Sequence, residues 1–156
     1  MSEWCRQMLK WLIVPALAVA ALACAPDPQD QASDDALAAK GPAELTTTVL
    51  REGAGREAAA GSRVSVHYTG WLYHPEREGF RGRKFDSSRD RQEPFDFVLG
   101  AGEVIPGWDR GVTGMKVGEQ RTLVIPSSLA YGPRGIAGVI PADAVLVFDV
   151  ELLAVE

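Results

Sequence analysis

The stretch VLVFDVELL, residues 145–153, decides the architecture: Leu146, Phe148, Val150 and Leu152 fall on one parity, Val145, Val147, Asp149 and Glu151 on the other. Alternation of this kind is the signature of a strand with one face on a core. Working toward the N-terminus, RTLVI at 121–125 is a strand stopped by Pro126. Phe95, Phe97 and Leu99 alternate with Asp96 and Val98 before Gly100, and RVSVHYTGWLY at 63–73 sets Val64, Val66 and Tyr68 against Ser65, His67 and Thr69. TTTVLR at 46–51 is β-branched and ends at the turn signal Glu52-Gly53. One helix is predicted over Pro106–Met115, about three turns long, with proline in the first turn where its missing N–H costs nothing. These segments predict an α+β domain, a twisted antiparallel sheet of about five strands wrapped on one short helix.

Composition narrows the function. The chain has 156 residues, 46% apolar and 24% charged, which suits one domain of ordinary size. Sixteen basic residues face 21 acidic ones for a net charge of -5, and no basic block stands out, so nucleic acid is not the expected partner. Two cysteines and two histidines cannot build a Cys/His zinc site of four ligands. No Ser-His-Asp or Cys-His arrangement is apparent. His67 lies on the polar parity of its strand and His74 in a charged loop (YHPEREGFRGR, 73–83), so both are expected to face solvent. Gly100-x-Gly102 lacks the later glycines of a nucleotide fingerprint and reads as a turn.

The chain before the strands reads as two further parts. Arg6 and Lys10 precede an apolar run of 12 residues, Trp11 to Leu22, followed by Ala23 and Cys24. That is the pattern of an export signal, 1–23, and the run is shorter than a bilayer-spanning helix needs. Ala21-Leu22-Ala23-Cys24 resembles a bacterial lipobox, which implies cleavage before Cys24 and a membrane anchor of acyl chains on that residue. With Ala25 next to it, the resemblance further implies attachment to the outer membrane of a Gram-negative cell envelope, facing the periplasm. Residues 25–44, with five acids, three prolines and Leu37 as their one large aliphatic, are expected to be a flexible linker. The folded domain is then 45–156.

Seven rings crowd that domain: Tyr68, Phe85, Phe95, Phe97, Trp108, Tyr131 and Phe148. Composition alone leaves open whether they form a plain core or line a cleft. Motif order decides. VHYTG at 66–70, KFDSSRDR at 84–91, PFDFVLG at 94–100, EVIPGWD at 103–109, GMKVGE at 114–119, IP at 125–126, LAYG at 129–132 and LVFDVELL at 146–153 resemble, in order and spacing, the FKBP family of peptidyl-prolyl cis/trans isomerases. The resemblance implies an enzyme without metal or cofactor. It implies a proline ring seated on Trp108, walled by Tyr68, Phe85, Phe95, Val104, Ile105 and Phe148. It implies that the Ile105 N–H and the Tyr131 hydroxyl hold the peptide carbonyls. Asp86 is placed at the rim, bonded to Tyr68 and Arg91, and the loop 132–141, with Ile136 and Ile140, above the pocket. The partners implied are proline-containing polypeptides, with folding of exported proteins as the task, and macrolides of the FK506/rapamycin type. A monomer is expected. The alternative is a binding module of the same fold, holding proline peptides or macrolides with little turnover.

Overall fold

The computed structural model describes residues 35–156. The signal-like run and Cys24 lie outside them. Six strands form one sheet: β1 Thr46–Arg51, β2 Arg63–Tyr73, β3 Arg81–Ser87, β4 Phe95–Val98, β5 Gln120–Ile125 and β6 Leu146–Val155. The lateral order is β1-β5-β6-β2-β3, with β4 also paired to β2, and every pairing is antiparallel. β4 takes the first residues of β2 (Arg63 to Val66) and β3 the last (Thr69 to Tyr73), so the two share one edge of β2 end to end. Five positions across the sheet thus hold six strands.

The alternation does its predicted work. Val64, Val66 and Tyr68 of β2 and Leu146, Phe148, Val150 and Leu152 of β6 enter one core with Phe97, Leu99, Met115, Leu123 and Ile125. The opposite parity of β6 is also covered at its start. Val145 and Val147 pack with Tyr73 and Val124, with Trp71 alongside and Phe80 stacked on Tyr73 at 5.3 Å between ring centres. The outer face of the sheet therefore carries a second, smaller apolar cluster.

Among the described residues, besides a helical turn at 35–38, two helices accompany the sheet, α1 Ser88–Arg91 and α2 Pro106–Val112. α2 buries Gly107, Trp108, Gly111 and Val112 on one face. Its two glycines decide how it packs. A Cβ on Gly107 would stand 2.3 Å from Ile125 Cγ2, and one on Gly111 would stand 2.8 Å from Leu123 Cδ1. The helix backbone lies directly on β5, and a larger residue at either position would have to displace Ile125 or Leu123.

Four expectations are corrected. α2 stops at Val112 rather than Met115, because Thr113 is extended (ψ 132) and Gly114 takes a left-handed φ of 81. β3 was not foreseen: RGRKFDS has no clear alternation, and it pairs with β2 through two register shifts. His74 is buried, its Nδ1 accepting from the Glu76 N–H at 3.2 Å, because the 73–83 segment folds back on the sheet. Residues 35–41 are not a free linker. Ala38 is fully buried, and its carbonyl accepts from Val145 N–H at 2.8 Å. One small residue fits where composition foresaw only solvated chain.

The contact of α2 with β5 is testable. Gly107→Ala should destabilise the domain by about 1–3 kcal/mol, the range for overpacking a filled core. A urea midpoint equal to that of the parent protein would show that the helix has room to move off the sheet.

Candidate active site

A cavity of about 390 Å³ opens between the start of α2 and the sheet. β2 contributes Tyr68, β3 Phe85 and Asp86, β4 Phe95, and β6 Phe148. The loop after β4 supplies Gly102, Glu103, Val104 and Ile105, the segment after β5 supplies Tyr131, and α2 supplies Trp108. Trp108 is the hub of the rings. Tyr68 meets it at 5.0 Å between centres and 82°, Phe148 at 5.3 Å and 89°, Phe95 at 6.0 Å and 82°. Edge-to-face pairs of this kind each contribute about 0.5–1.5 kcal/mol beyond the area they bury, so the rings hold one another in place. Trp108 is only 4% exposed, with no hydrogen-bond partner for its Nε1–H.

Local sequence explains how the walls come so close. Gly70 leaves space where a Cβ would stand 2.7 Å from Phe148 Cε1 and 2.8 Å from Phe85 Cζ. Those two rings then meet at right angles, 5.6 Å apart. On the loop side, Glu103 Oε2 accepts from Val98 N–H at 2.9 Å and Asp109 Oδ1 from Gly100 N–H at 2.8 Å. The loop is tied at both ends to the elements it joins. Ile105 is the residue at which α2 begins, and its carbonyl accepts from Trp108 N–H at 2.9 Å.

The rim is polar on one side. Tyr68 Oη donates to Asp86 Oδ2 at 2.5 Å, Arg91 Nη1 donates to Asp86 Oδ1 at 2.5 Å, and Arg91 Nη2 donates to Tyr68 Oη at 2.9 Å. The turn that follows β3 builds this triangle. Ser87 caps α1 by accepting from Arg89 N–H, and buried Ser88 accepts from Tyr68 N–H at 2.8 Å. One turn of helix then brings Arg91 back over Asp86. Burial raises the Asp86 carboxyl, but the hydrogen bonds from Tyr68 and Arg91 and the guanidinium charge outweigh it and hold the group below the usual carboxylate range. Burial pushes the Tyr68 phenol up, with Asp86 adding to the shift, and the Tyr131 phenol rises for the same two reasons. Two neutral phenols and an ionised carboxylate paired with Arg91 result.

Most of the residues named from sequence come together here: Tyr68, Phe85, Asp86, Phe95, Val104, Ile105, Trp108, Tyr131 and Phe148 all line the cavity. Arg91 sits behind Asp86 and Tyr68 instead, its Cζ 5.9 Å from the centre of the Tyr68 ring. Ile136 and Ile140 do not line it either. They bond to each other through their backbones at 2.8 Å, and Ile140 turns into the core while Ile136 stays exposed. Gly102 and Glu103 line the cavity and were not singled out, although Glu103 heads the EVIPGWD motif. His67 lies outside the cavity, half-buried, with Nδ1 3.0 Å from Ser88 Oγ. Among the described residues, no group of three or more His, Cys, Asp or Glu side chains is placed to hold a metal ion.

Comparison with other proteins assigns the chain that builds this aromatic cavity to a family. Residues 54–153 match the family model of the FKBP-type peptidyl-prolyl cis-trans isomerase. The chain belongs to that family and is a peptidyl-prolyl cis/trans isomerase. It is 54% identical over 106 residues to the FK506-binding protein of Neisseria meningitidis serogroup A, covering 68% of this chain and 91% of that one. It is 57% identical over 100 residues to the peptidyl-prolyl cis-trans isomerase FPR2 of Saccharomyces cerevisiae, covering 64% and 70%. With FK506-binding protein 1 of Dictyostelium discoideum it shares 51% over 106 residues, covering 68% and 92%.

The titrations give a pH test. The lowered Asp86 and the raised Tyr68 and Tyr131 keep that carboxyl ionised and those two phenols neutral between about pH 5 and 9. kcat/KM should be flat across that window, and a bell centred near neutrality would contradict it. Because the Asp86 pKa is depressed by folding, its contribution to stability is present above the unfolded-state value near 3.9 and is lost as pH falls through the lower folded one.

Proposed function

We propose that this isomerase accelerates rotation about X-Pro bonds of exported polypeptides, with the proline ring seated on Trp108. The observation that carries the reading is the near-complete burial of Trp108 at the centre of the ring cluster, beneath a cavity open to a chain end or loop. Rotation about a peptide C–N bond must give up amide resonance, a barrier of about 18–20 kcal/mol. A twisted amide is less polar than a planar one. Moving it from water into an aromatic bowl therefore penalises the ground state more than the transition state, with no proton transferred. In this reading the Tyr131 hydroxyl and the Ile105 N–H hold the flanking carbonyls, and Asp86 shapes the rim. Macrolides of the FK506 type, after which several relatives are named, would compete by filling the same space.

The envelope reading rests on the N-terminal sequence. The export-type run and the lipobox-like Cys24 support a chain exported, acylated and held at the periplasmic face of a membrane, by the same inference the outer one. Its substrates would then be proteins that fold after export.

Substitution separates desolvation from acid–base chemistry. Tyr131→Phe keeps the ring and loses one hydrogen bond, about 1–2 kcal/mol, so kcat/KM should drop roughly five- to thirtyfold in a protease-coupled assay. Trp108→Ala should cost at least as much and also destabilise by about 3–5 kcal/mol. His67→Ala should leave turnover near the parent value. Equal damage from His67→Ala and Tyr131→Phe in folded protein would sink the desolvation mechanism.

Anchoring is tested separately. Cys24→Ser, expressed in a Gram-negative host fed labelled palmitate, should take up no label and retain isomerase activity. Undiminished labelling would overturn the lipobox assignment.

A further inference from the structure

The loop of residues 132–142 leaves the cavity at Tyr131 and leads toward β6, which carries the Phe148 wall. Its own bonds make it one body. Asp143 N–H donates to Gly132 O at 2.9 Å, and Ile136 and Ile140 exchange two bonds of 2.8 Å. Gly135, at φ +54, has Ile140 O where a Cβ would stand, 2.3 Å away. A hollow of about 430 Å³ lies between this loop and its neighbours, lined by Asp35, Arg83 and loop residues. Ile140 anchors the loop in the core, while its exposed tip, with Ile136 and Val139, borders the hollow and depends on further contacts for its placement.

Arg83 supplies one such contact. It belongs to β3, two residues before Phe85 and three before Asp86, and its Nη2 donates to Val139 O at 3.1 Å. The same Nη2 donates to Asp35 Oδ1 at 3.0 Å. Asp35 is itself held, since residues 35–38 form a helical turn whose last residue, Ala38, is fully buried and bonded to Val145 N–H. Gly41 then presses on Val145, where a Cβ would lie 2.8 Å from the valine side chain. The chain ahead of β1 thus crosses the end of the loop and grips the arginine from its far side.

We propose that Arg83 is a positioning residue for the 132–142 loop, and that residues 35–41 are a strap that keeps its guanidinium on Val139. The loop is thereby fixed relative to Tyr131, the cavity residue from which it starts, and in this proposal its placement bears on which side chains flanking the proline are accepted. This rests on the reading of the Trp108 cavity as the proline site. An ion pair this exposed is weak alone. Its leverage comes from acting on a loop with space beside it.

The test uses the full chain with Asp35→Asn, Arg83→Gln and Arg83→Lys. Amide exchange at 135–140 is followed with the amides of β2 and β6 as internal reference, and kcat/KM is compared for Ala-Pro and Leu-Pro peptides. Asp35→Asn should speed exchange at 135–140 about two- to fivefold, the reach of one surface ion pair, and change the Leu/Ala ratio of kcat/KM in step. Arg83→Gln should do both more strongly, and Arg83→Lys should restore part of each. Exchange at 135–140 unchanged in Arg83→Gln would overturn the proposal, as would a lowered melting temperature with the Leu/Ala ratio unmoved. Exchange needs no turnover, so failure of the strap is distinguishable from failure of the proline-site reading.

Discussion

The close approach of α2 to β5 is the constraint on which the rest depends. Gly107 and Gly111, one helical turn apart, put the helix backbone against the side chains of Ile125 and Leu123. At that distance Trp108, between them in sequence, has no route outward and is pressed among the rings of Tyr68, Phe95 and Phe148. The same approach brings the helix start, with Ile105, to the cavity mouth. A seven-residue helix is too short to be stable alone. Tertiary packing holds it, and the site inherits its rigidity from that packing.

The sheet answers the helix with a matching geometry. β2 and β6 form the longest ladder, from Val64↔Val155 to Leu72↔Leu146, and it includes Tyr68↔Val150 and Gly70↔Phe148. Opposite Phe148 stands a glycine, and into that gap Phe85 is admitted from β3. Three adjacent strands thus deliver Tyr68, Phe85 and Phe148 to one surface. Since β4 takes the other half of the β2 edge, Phe95 arrives from the same side without a further layer. The bowl is made by strand sharing rather than by a curved barrel.

Legibility in the sequence followed what each signal physically encodes. Period-two alternation reports a buried face, so β2, β4 and β6 were readable to within a residue or two, while β5, buried at four consecutive positions, was read from RTLVI and the proline that stops it. β3 was not, because its residues are neither alternating nor fully buried, and two register shifts relax the pattern it must satisfy. The aromatic wall was legible through motif order, while Gly102 and Glu103 were passed over because a turn glycine and a loop carboxylate look like surface. Ile136 and Ile140 were placed above the pocket by the resemblance of their loop. Their backbones pair with each other, which turns Ile140 inward instead. The hold of residues 35–41 was invisible to composition, since it depends on alanine and glycine side chains too small to register as core.

Asp86 shows how a charge is accommodated beside an apolar cavity. Removing a carboxylate from water is costly unless both oxygens find partners. Here Tyr68 takes one and Arg91 the other, and Arg91 also donates to Tyr68. The triangle carries one negative and one positive charge in contact, so its field at the cavity centre is closer to that of a dipole than of an ion. A substrate amide that loses polarity as it twists gains most from surroundings that offer its planar form little. A naked carboxylate at the rim would work against that by drawing water in. The salt-bridged triangle keeps the rim charge hydrogen-bonded and compensated beside the aromatic bowl, which is the condition that the proposed desolvation mechanism imposes.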